Sequence, residues 1–127
     1  YLEPGLHFTY NRKEVLELLA QAEFLICPSE WYEVLGFTIV EAMMMKKPVI
    51  GANIGAIPET VIHNKTGLLF NMGDSDMLST QINSLYQNQQ LISKLGENAF
   101  IHVQQLTNPE KHYKNLQRII PSLNKNK

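Results

Sequence analysis

The chain has 127 residues, 44% of them hydrophobic, and a formal net charge of −1 at pH 7. This length suits one domain with a buried core, and a charge so close to zero gives no reason to expect nucleic-acid binding. The single cysteine, Cys27, excludes an internal disulfide and suits a reducing compartment. Because neither a signal peptide nor an apolar run long enough to cross a bilayer is visible, we expect a cytoplasmic protein.

The first predicted elements are a short strand, a helix and a second strand. The strand is expected at residues 6–10, and Asn11 is the expected N-cap of the helix that follows. Four apolar residues on one face of that helix recur at helical spacing: Val15, Leu18, Leu19 and Ala22. The continuous apolar run 24–27 predicts a strand covered on both faces, which Pro28 ends because proline cannot donate to a sheet ladder.

A helix between two strands forms the centre of the sequence. From about Gly36, apolar residues recur at helical spacing until the turn before Pro48, and residues 48–52 form the next apolar run. Strand, helix and strand in so few residues predict a parallel pair with a right-handed crossover. Ligands of open parallel sheets bind beyond the carboxyl ends of the strands, so the binding site is expected in the loops that follow these two strands.

The remaining chain is predicted to contain one more strand among helices. A short helix is expected over residues 57–64, beginning at Pro58, before a strand at 68–70. Three helices follow, opened by Asp74 or Ser75, by Leu91 and by Pro109. Their expected buried residues are Leu78, Ile82 and Leu85, then Leu95, Ala99 and Val103, then Tyr113, Leu116 and Ile120. The predicted fold is an α/β domain over residues 1–123, a Rossmann-like three-layer α/β/α arrangement with a parallel sheet, and residues 124–127 form a disordered tail.

Two glutamates flank the predicted amino end of the central helix. Glu33 lies in the loop before the helix and Glu41 about one and a half turns inside it, while Gly36 lets an anion approach the backbone. The free N–H groups and the dipole of such a terminus suit a phosphate or diphosphate. Carboxylates accept hydrogen bonds from paired hydroxyls, as a ribose or a hexose presents. The arrangement therefore fits a nucleotide sugar better than a bare nucleotide.

Several short motifs at fixed spacing are more specific than the two glutamates alone. They are Glu33 and Glu41 with seven residues between them, then Ala42-Met43, Pro48-Val49-Ile50, Gly55, Glu59, and Thr66-Gly67-Leu68-Leu69. Together they make residues 14–85 resemble the carboxy-terminal, donor-binding domain of a retaining glycosyltransferase of the GT-B fold, family 4. The resemblance implies the transfer of a hexosyl unit from a nucleoside diphosphate sugar to an acceptor with retention, without a metal ion or other cofactor.

The resemblance also implies roles for individual residues. Glu33, taken as the catalytic residue, would contact the transferred sugar and position its hydroxyls, and Glu41 would hold the ribose. Backbone at Gly36 and Phe37 would contact sugar or phosphate. The second loop of the same cleft would be formed by Gly55 and Ala56.

The sequence departs from the family pattern in three places. Lys46 stands where the family usually has a glycine, which turns out of the helix in a left-handed conformation, and Ala56 stands where a second glycine is common. The basic pair that neutralises the diphosphate would lie upstream of residue 1. The resemblance further implies an amino-terminal acceptor-binding domain outside this chain, and polysaccharide biosynthesis with peripheral membrane association of the full-length protein. The chain alone is therefore expected not to turn over.

Two other function classes fit parts of the sequence. A non-catalytic α/β scaffold or receiver-like module would use the glutamates only to shape a surface, but a receiver needs clustered aspartates for magnesium, and the only aspartates are Asp74 and Asp76. A glycosidase would need Glu33 and Glu41 on either side of a scissile bond. A helix terminus between them favours an anionic donor instead.

Other notable side chains are predicted to be structural. Met43, Met44 and Met45 are expected to fill the core, and Cys27 is expected to be a buried apolar side chain. The four histidines have no metal-ligand spacing and are predicted to lie at the surface.

Overall fold

The computed structural model describes residues 11–30 and 37–107, apart from the side chains of Arg12, Phe37 and Thr107. In chain order the elements are α1 (Arg12–Gln21), β1 (Leu25–Cys27), α2 (Phe37–Met44), β2 (Val49–Ala52), α3 (Ile57–Thr60), β3 (Gly67–Phe70), α4 (Ser75–Tyr86) and α5 (Gln89–Thr107). The strand predicted at 6–10, the helix predicted after Pro109 and the tail at 124–127 lie outside the described residues.

The described strands form one parallel sheet in the order β1-β2-β3, which confirms the predicted parallel pairing. Ile26 pairs with Ile50, and Ile50 pairs in turn with Leu68. β2 is buried along its whole length because it has a strand on each side and helices over both faces. A strand in this position needs a continuous apolar sequence.

Hydrophobic side chains form a core on each face of the sheet. Val49 points into one cluster, which contains residues of α1, α2 and the carboxyl half of α5. Ile50 and Ala52 point into the other, which contains residues of α4 and the amino half of α5. Successive side chains of a strand point to opposite faces, so both faces are covered and the three-layer α/β/α architecture is confirmed.

The long helix α5 passes the amino ends of the strands and joins the two cores. Leu95 belongs to one cluster and Ala99 to the other, and both are fully buried. Between them, Gly96 lies against the carbonyl oxygen of Lys46, just before β2. The Asn98 amide donates to the carbonyl of Lys65 (3.0 Å), just before β3. This helix thus covers the amino end of the sheet.

The predicted helix caps are confirmed. The side-chain oxygen of Asn11 accepts a hydrogen bond from the backbone N–H of Glu14 at 2.9 Å. Asp74 accepts one from the backbone N–H of Met77, also at 2.9 Å. Each cap satisfies one of the first N–H groups of its helix, which have no acceptor within the helix itself.

Lys46 leaves α2 in the left-handed conformation, with φ of 61°, at the position where the resemblance leads us to expect a glycine. A side chain is strained there. Its ammonium group lies 3.3 Å from the carboxylate of Glu97 and 5.2 Å from the ring centroid of Phe100. Both contacts are with α5, so the lysine links the end of α2 to that helix in a way that a glycine could not.

Two sequence predictions, on α3 and on Met44, are corrected in detail. α3 ends at Thr60 instead of continuing to residue 64, because the Thr66 hydroxyl accepts the N–H of Ile62 (2.8 Å) and directs the chain out of the helix. Met44 is 45% exposed and does not fill the core, whereas Met43 is fully buried. The two methionines are adjacent on a helix and therefore face about 100° apart.

The two described histidines differ from simple surface residues. His63 is exposed, as predicted, but its Nδ1 accepts the backbone N–H of Leu69 (2.9 Å) on the outer edge of β3. His102 is only partly exposed, and its Nε2 is buried without a hydrogen-bond partner among the described residues. The prediction of a surface position is therefore wrong for His102. Its place on α5, one turn from Asn98, puts the ring against the turn before β3.

Candidate nucleotide-sugar site

The carboxyl end of the sheet carries three loops. They follow β1 at residues 28–30, β2 at residues 53–56 and β3 at residues 71–74. The N–H of Asn53 donates to the carbonyl of Phe70 (2.8 Å), so the second and third loops begin side by side. Because α5 lies across the opposite end, this edge of the sheet is the one at which a ligand can meet three loops at once.

The amino terminus of α2 lies over this edge because the helix crosses from the end of β1 to the start of β2. It is held to the sheet by Ile39, Ala42 and Met43, which are buried in the core. The first turn of α2 carries no acidic side chain. The positive end of the helix dipole is therefore not neutralised by a carboxylate of that turn, and this positive end favours an anionic ligand.

Glu41 is the predicted ribose ligand that the structure describes. It lies on α2 one turn after Phe37 and is half-buried. The neighbouring Ala42 and Met43 are fully buried, so the backbone of Glu41 is fixed by the packing of α2. Such a carboxylate is held in place more firmly than one on a flexible loop.

The loop after β2 turns sharply and returns into α3. The N–H of Ile54 donates to the carbonyl of Ala52 (2.8 Å), and that of Ile57 donates to the carbonyl of Ile54 (3.3 Å). Gly55 lies between these bonds with φ of 60°, a conformation that glycine adopts without strain. Ala56 has φ of −84° and therefore needs no glycine. The second departure from the family pattern thus leaves the backbone of this loop unstrained.

The structure places four of the six predicted site residues at the carboxyl edge. Phe37 begins α2, Glu41 lies one turn further, and Gly55 and Ala56 form the loop after β2. Ile54 joins the two parts, since it packs against the same cluster as the apolar face of α2. Glu33 and Gly36 lie outside the described residues. The roles expected of all six stay predictions.

Sequence reasoning missed two glycines of the sheet, Gly51 near this edge and Gly67 at the amino end of β3. Gly51 and Gly67 lie on neighbouring strands and leave room for side chains that pack on the sheet from α3. A glycine within a predicted strand is a weak signal for close approach of another segment, and that signal was available at both positions.

In residues 11–30 and 37–107 no three histidine, cysteine or acidic side chains come together as metal ligands. Among the helices of that part of the chain, none is both long and apolar enough to span a bilayer. Asp74, one of the two aspartates considered for a receiver site, caps α4.

Known proteins share this fold. Of this chain, 79% superposes on the C-terminal domain of a glycosyl transferase group 1 family protein (LpcC) from Francisella tularensis, with a TM-score of 0.70 and 24% identity, and covers 51% of that domain. The Anabaena protein HepE in complex with UDP-glucose matches 84% of the chain with a TM-score of 0.73 and 29% identity, over 30% of its own length. The fold is therefore that of the carboxy-terminal domain of a GT-B glycosyltransferase, of which this chain contains part.

The sequence assigns the family. Residues 2–102 match the model of glycosyl transferases group 1, and the chain belongs to this family. The N-acetyl-alpha-D-glucosaminyl L-malate synthase of Bacillus anthracis is 33% identical over 99 residues, which are 78% of this chain and 26% of that protein. The chain thus spans about a quarter of the length of this curated relative.

Proposed function

We propose that this chain is the donor-binding half of a retaining family 4 glycosyltransferase, which moves a hexosyl unit from a nucleoside diphosphate sugar to an acceptor. The observation that supports the proposal is that three features lie together at the carboxyl edge of the sheet. The amino end of α2 has no acidic side chain in its first turn, Glu41 lies one turn inside, and Gly55 turns the facing loop. The complex of the structural relative HepE with UDP-glucose supports a ligand of this class.

Each part of the site has a distinct chemical role in this proposal. The first N–H groups of α2, beginning at Phe37, bind the diphosphate and stabilise the charge that develops on it as the bond to the sugar breaks. Glu41 accepts hydrogen bonds from the ribose diol. Glu33 positions the hydroxyls of the transferred sugar, which lowers the entropic cost of reaching the reactive geometry. Gly55 and Ala56 line the cleft from the side of β2.

The proposed mechanism needs no general base from this domain. The leaving group is the nucleoside diphosphate, which departs as an anion when positive groups stabilise its negative charge. We propose that basic groups from another part of the full-length protein neutralise its charge. The anomeric carbon of the sugar then bonds to a hydroxyl oxygen of the acceptor, and the proton of that hydroxyl passes to an oxygen of the departing diphosphate. For the acceptor we propose a surface polysaccharide or a lipid-linked molecule.

A groove beside β1 suits the packing of the remaining protein. It has a volume of about 320 Å³ and is lined mainly by apolar side chains of α1 and β1. Leu18 and Ile26 are 38% and 36% exposed there, although the sequence around Ile26 is that of a strand covered on both faces. This chain covers 51% of the solved domain from Francisella, and we assign the groove to the other part of such a domain.

A ligand-detected NMR titration of the chain with UDP, GDP, ADP and their hexose derivatives tests the proposal. We expect one nucleotide to bind in the millimolar range, since the proposal assigns the basic groups to another part of the full-length protein. Glu41→Gln should weaken binding roughly tenfold or more, because a hydrogen bond to a charged group contributes about 1.5–3 kcal/mol. Glu17→Gln, an exposed glutamate of α1, is the matched control and should leave the affinity unchanged.

A titration in which the chain binds no nucleotide is followed by one with the full-length protein. Absence of binding there as well would overturn the donor-site proposal. Binding that Glu41→Gln leaves unaffected would overturn the role of Glu41.

A further inference from the structure

Two glycines on one face of the sheet let another segment pack directly on its backbone. A Cβ atom added to Gly51 would lie 2.6 Å from Cγ2 of Ile57. One added to Gly67, on the neighbouring strand, would lie 2.8 Å from Cγ1 of Val61 and would overlap the carbonyl oxygen of Val49. Real Cβ atoms do not approach other atoms so closely. The two glycines therefore form a socket, defined as Gly51 and Gly67, for the side chains of Ile57 and Val61.

The socket holds α3 at both ends. Ile57 is the first residue of the helix and Val61 is its C-cap, and they are 2% and 1% exposed. The helix has only four residues and no side-chain N-cap hydrogen bond. So short a helix has little stability of its own, so its position depends on the packing of these two side chains.

The position of α3 determines that of the loop before it. Ala56 precedes Ile57 directly and is the N-cap of α3, and the carbonyl of Ala56 accepts the N–H of Glu59 at 3.1 Å. The N–H of Ile57 bonds back to Ile54, which closes the turn around Gly55. A change in the depth at which Ile57 packs on β2 would therefore move the backbone of Gly55 and Ala56.

We propose that Gly51 and Ile57 are positioning residues for the donor ligand. Their contact sets the depth of α3 on β2 and so the distance of the Gly55-Ala56 backbone from the amino end of α2. This inference rests on the proposed donor site. Neither residue touches the ligand, and both act through the loop after β2.

The contact can be tested by exchanging one methyl group for another. Gly51→Ala adds a methyl group that meets Cγ2 of Ile57, and Ile57→Leu removes Cγ2 because leucine is not branched at Cβ. We expect Gly51→Ala to raise the dissociation constant of the nucleotide about tenfold, which corresponds to about 1.4 kcal/mol. Ile57→Leu leaves the space of Cγ2 empty and should raise the dissociation constant by a smaller factor. The double variant should return to the parent value within about threefold, since contacting residues couple in such cycles.

A structural readout separates this inference from the donor site itself. In ¹⁵N-edited spectra of the unliganded chain, the amide signals of Gly55 and Ala56 should move in Gly51→Ala and return in the double variant. This measurement needs no ligand, so it tests the coupling of Gly51 to the loop even if the chain binds no nucleotide. In that case the affinities of the same variants are measured in the full-length protein. Signals that stay in place, or that move and do not return, would overturn the inference. Movement of the signals without any change in affinity, in a protein that binds, would overturn the positioning role.

Gly67→Ala is the matched control. The added methyl group would overlap the backbone of Val49, which no side-chain substitution can relieve. We expect Gly67→Ala to lose stability whether or not Ile57→Leu is present. The effect of Gly51→Ala, in contrast, should be reduced by Ile57→Leu. If Gly51→Ala does not fold, the test compares Ile57→Leu with the double variant. The double variant, which adds the methyl group at position 51, should then have the lower dissociation constant. A dissociation constant higher than that of Ile57→Leu would overturn the inference.

Discussion

Gly96 lies in the middle of α5, where substitution by alanine brings two effects of opposite sign. In an exposed helix, Gly→Ala stabilises a protein by about 1 kcal/mol, because alanine loses less backbone entropy on folding. Here the added Cβ would overlap the carbonyl oxygen of Lys46 and lie 3.0 Å from its carbonyl carbon. That carbonyl belongs to the tight turn between α2 and β2, in which the N–H of Lys46 is bonded to the carbonyl of Met43 (3.0 Å). The turn cannot give way without breaking such bonds.

The overlap must therefore be relieved by moving α5 away from α2. Leu95 and Ala99, on either side of Gly96, are fully buried in the two cores and would lose contacts. Overpacking of this kind costs about 1–3 kcal/mol, and an overlap with fixed backbone belongs at the upper end. After the gain in helix propensity is subtracted, we expect Gly96→Ala to destabilise the chain by about 2 kcal/mol. For a domain of this size the melting temperature should fall by roughly 10 °C.

Thermal unfolding followed by circular dichroism measures this effect. Ser93→Ala, at an exposed position one turn earlier in the same helix, is the control and should raise stability by a few tenths of a kcal/mol. The reasoning fails if Gly96→Ala raises the melting temperature in the same way, since propensity would then outweigh the contact with Lys46.

Two further substitutions test individual hydrogen bonds. Asp74→Ala removes the N-cap of α4 and leaves the N–H of Met77 without its acceptor, so urea unfolding should show a loss of about 1 kcal/mol; an unchanged midpoint would contradict the cap. Thr66→Val keeps the shape of a fully buried side chain but removes the hydroxyl that accepts from Ile62 and donates to Thr60. We expect a loss of about 1–3 kcal/mol, with Thr66→Ser less affected, and equal losses for the two variants would show that the methyl group matters instead.

Much of the fold could be predicted from the sequence because its signals are local. The apolar runs at residues 24–27 and 48–52 predicted two strands, and the spacing of Leu95, Ala99 and Val103 predicted the buried face of α5. The prediction that both strands are covered on both faces is confirmed for β2 but wrong for β1, where Ile26 is 36% exposed. The caps at Asn11 and Asp74 are local, because each side chain accepts a hydrogen bond from the backbone N–H three residues later. The edge at which we propose the site could also be predicted, since the carboxyl ends of parallel strands always share one edge.

What the sequence by itself determined is thus the order of elements, their buried faces, the parallel sheet and the edge that carries the loops. Only the tertiary structure decided the close approaches at Gly51, Gly67 and Gly96, because each depends on a segment that is distant in the sequence or across a turn. The same holds for Lys46, whose strained conformation is accompanied by contacts with α5 about fifty residues later. Local preferences select secondary structure, whereas the distance between two elements is set by every side chain packed between them.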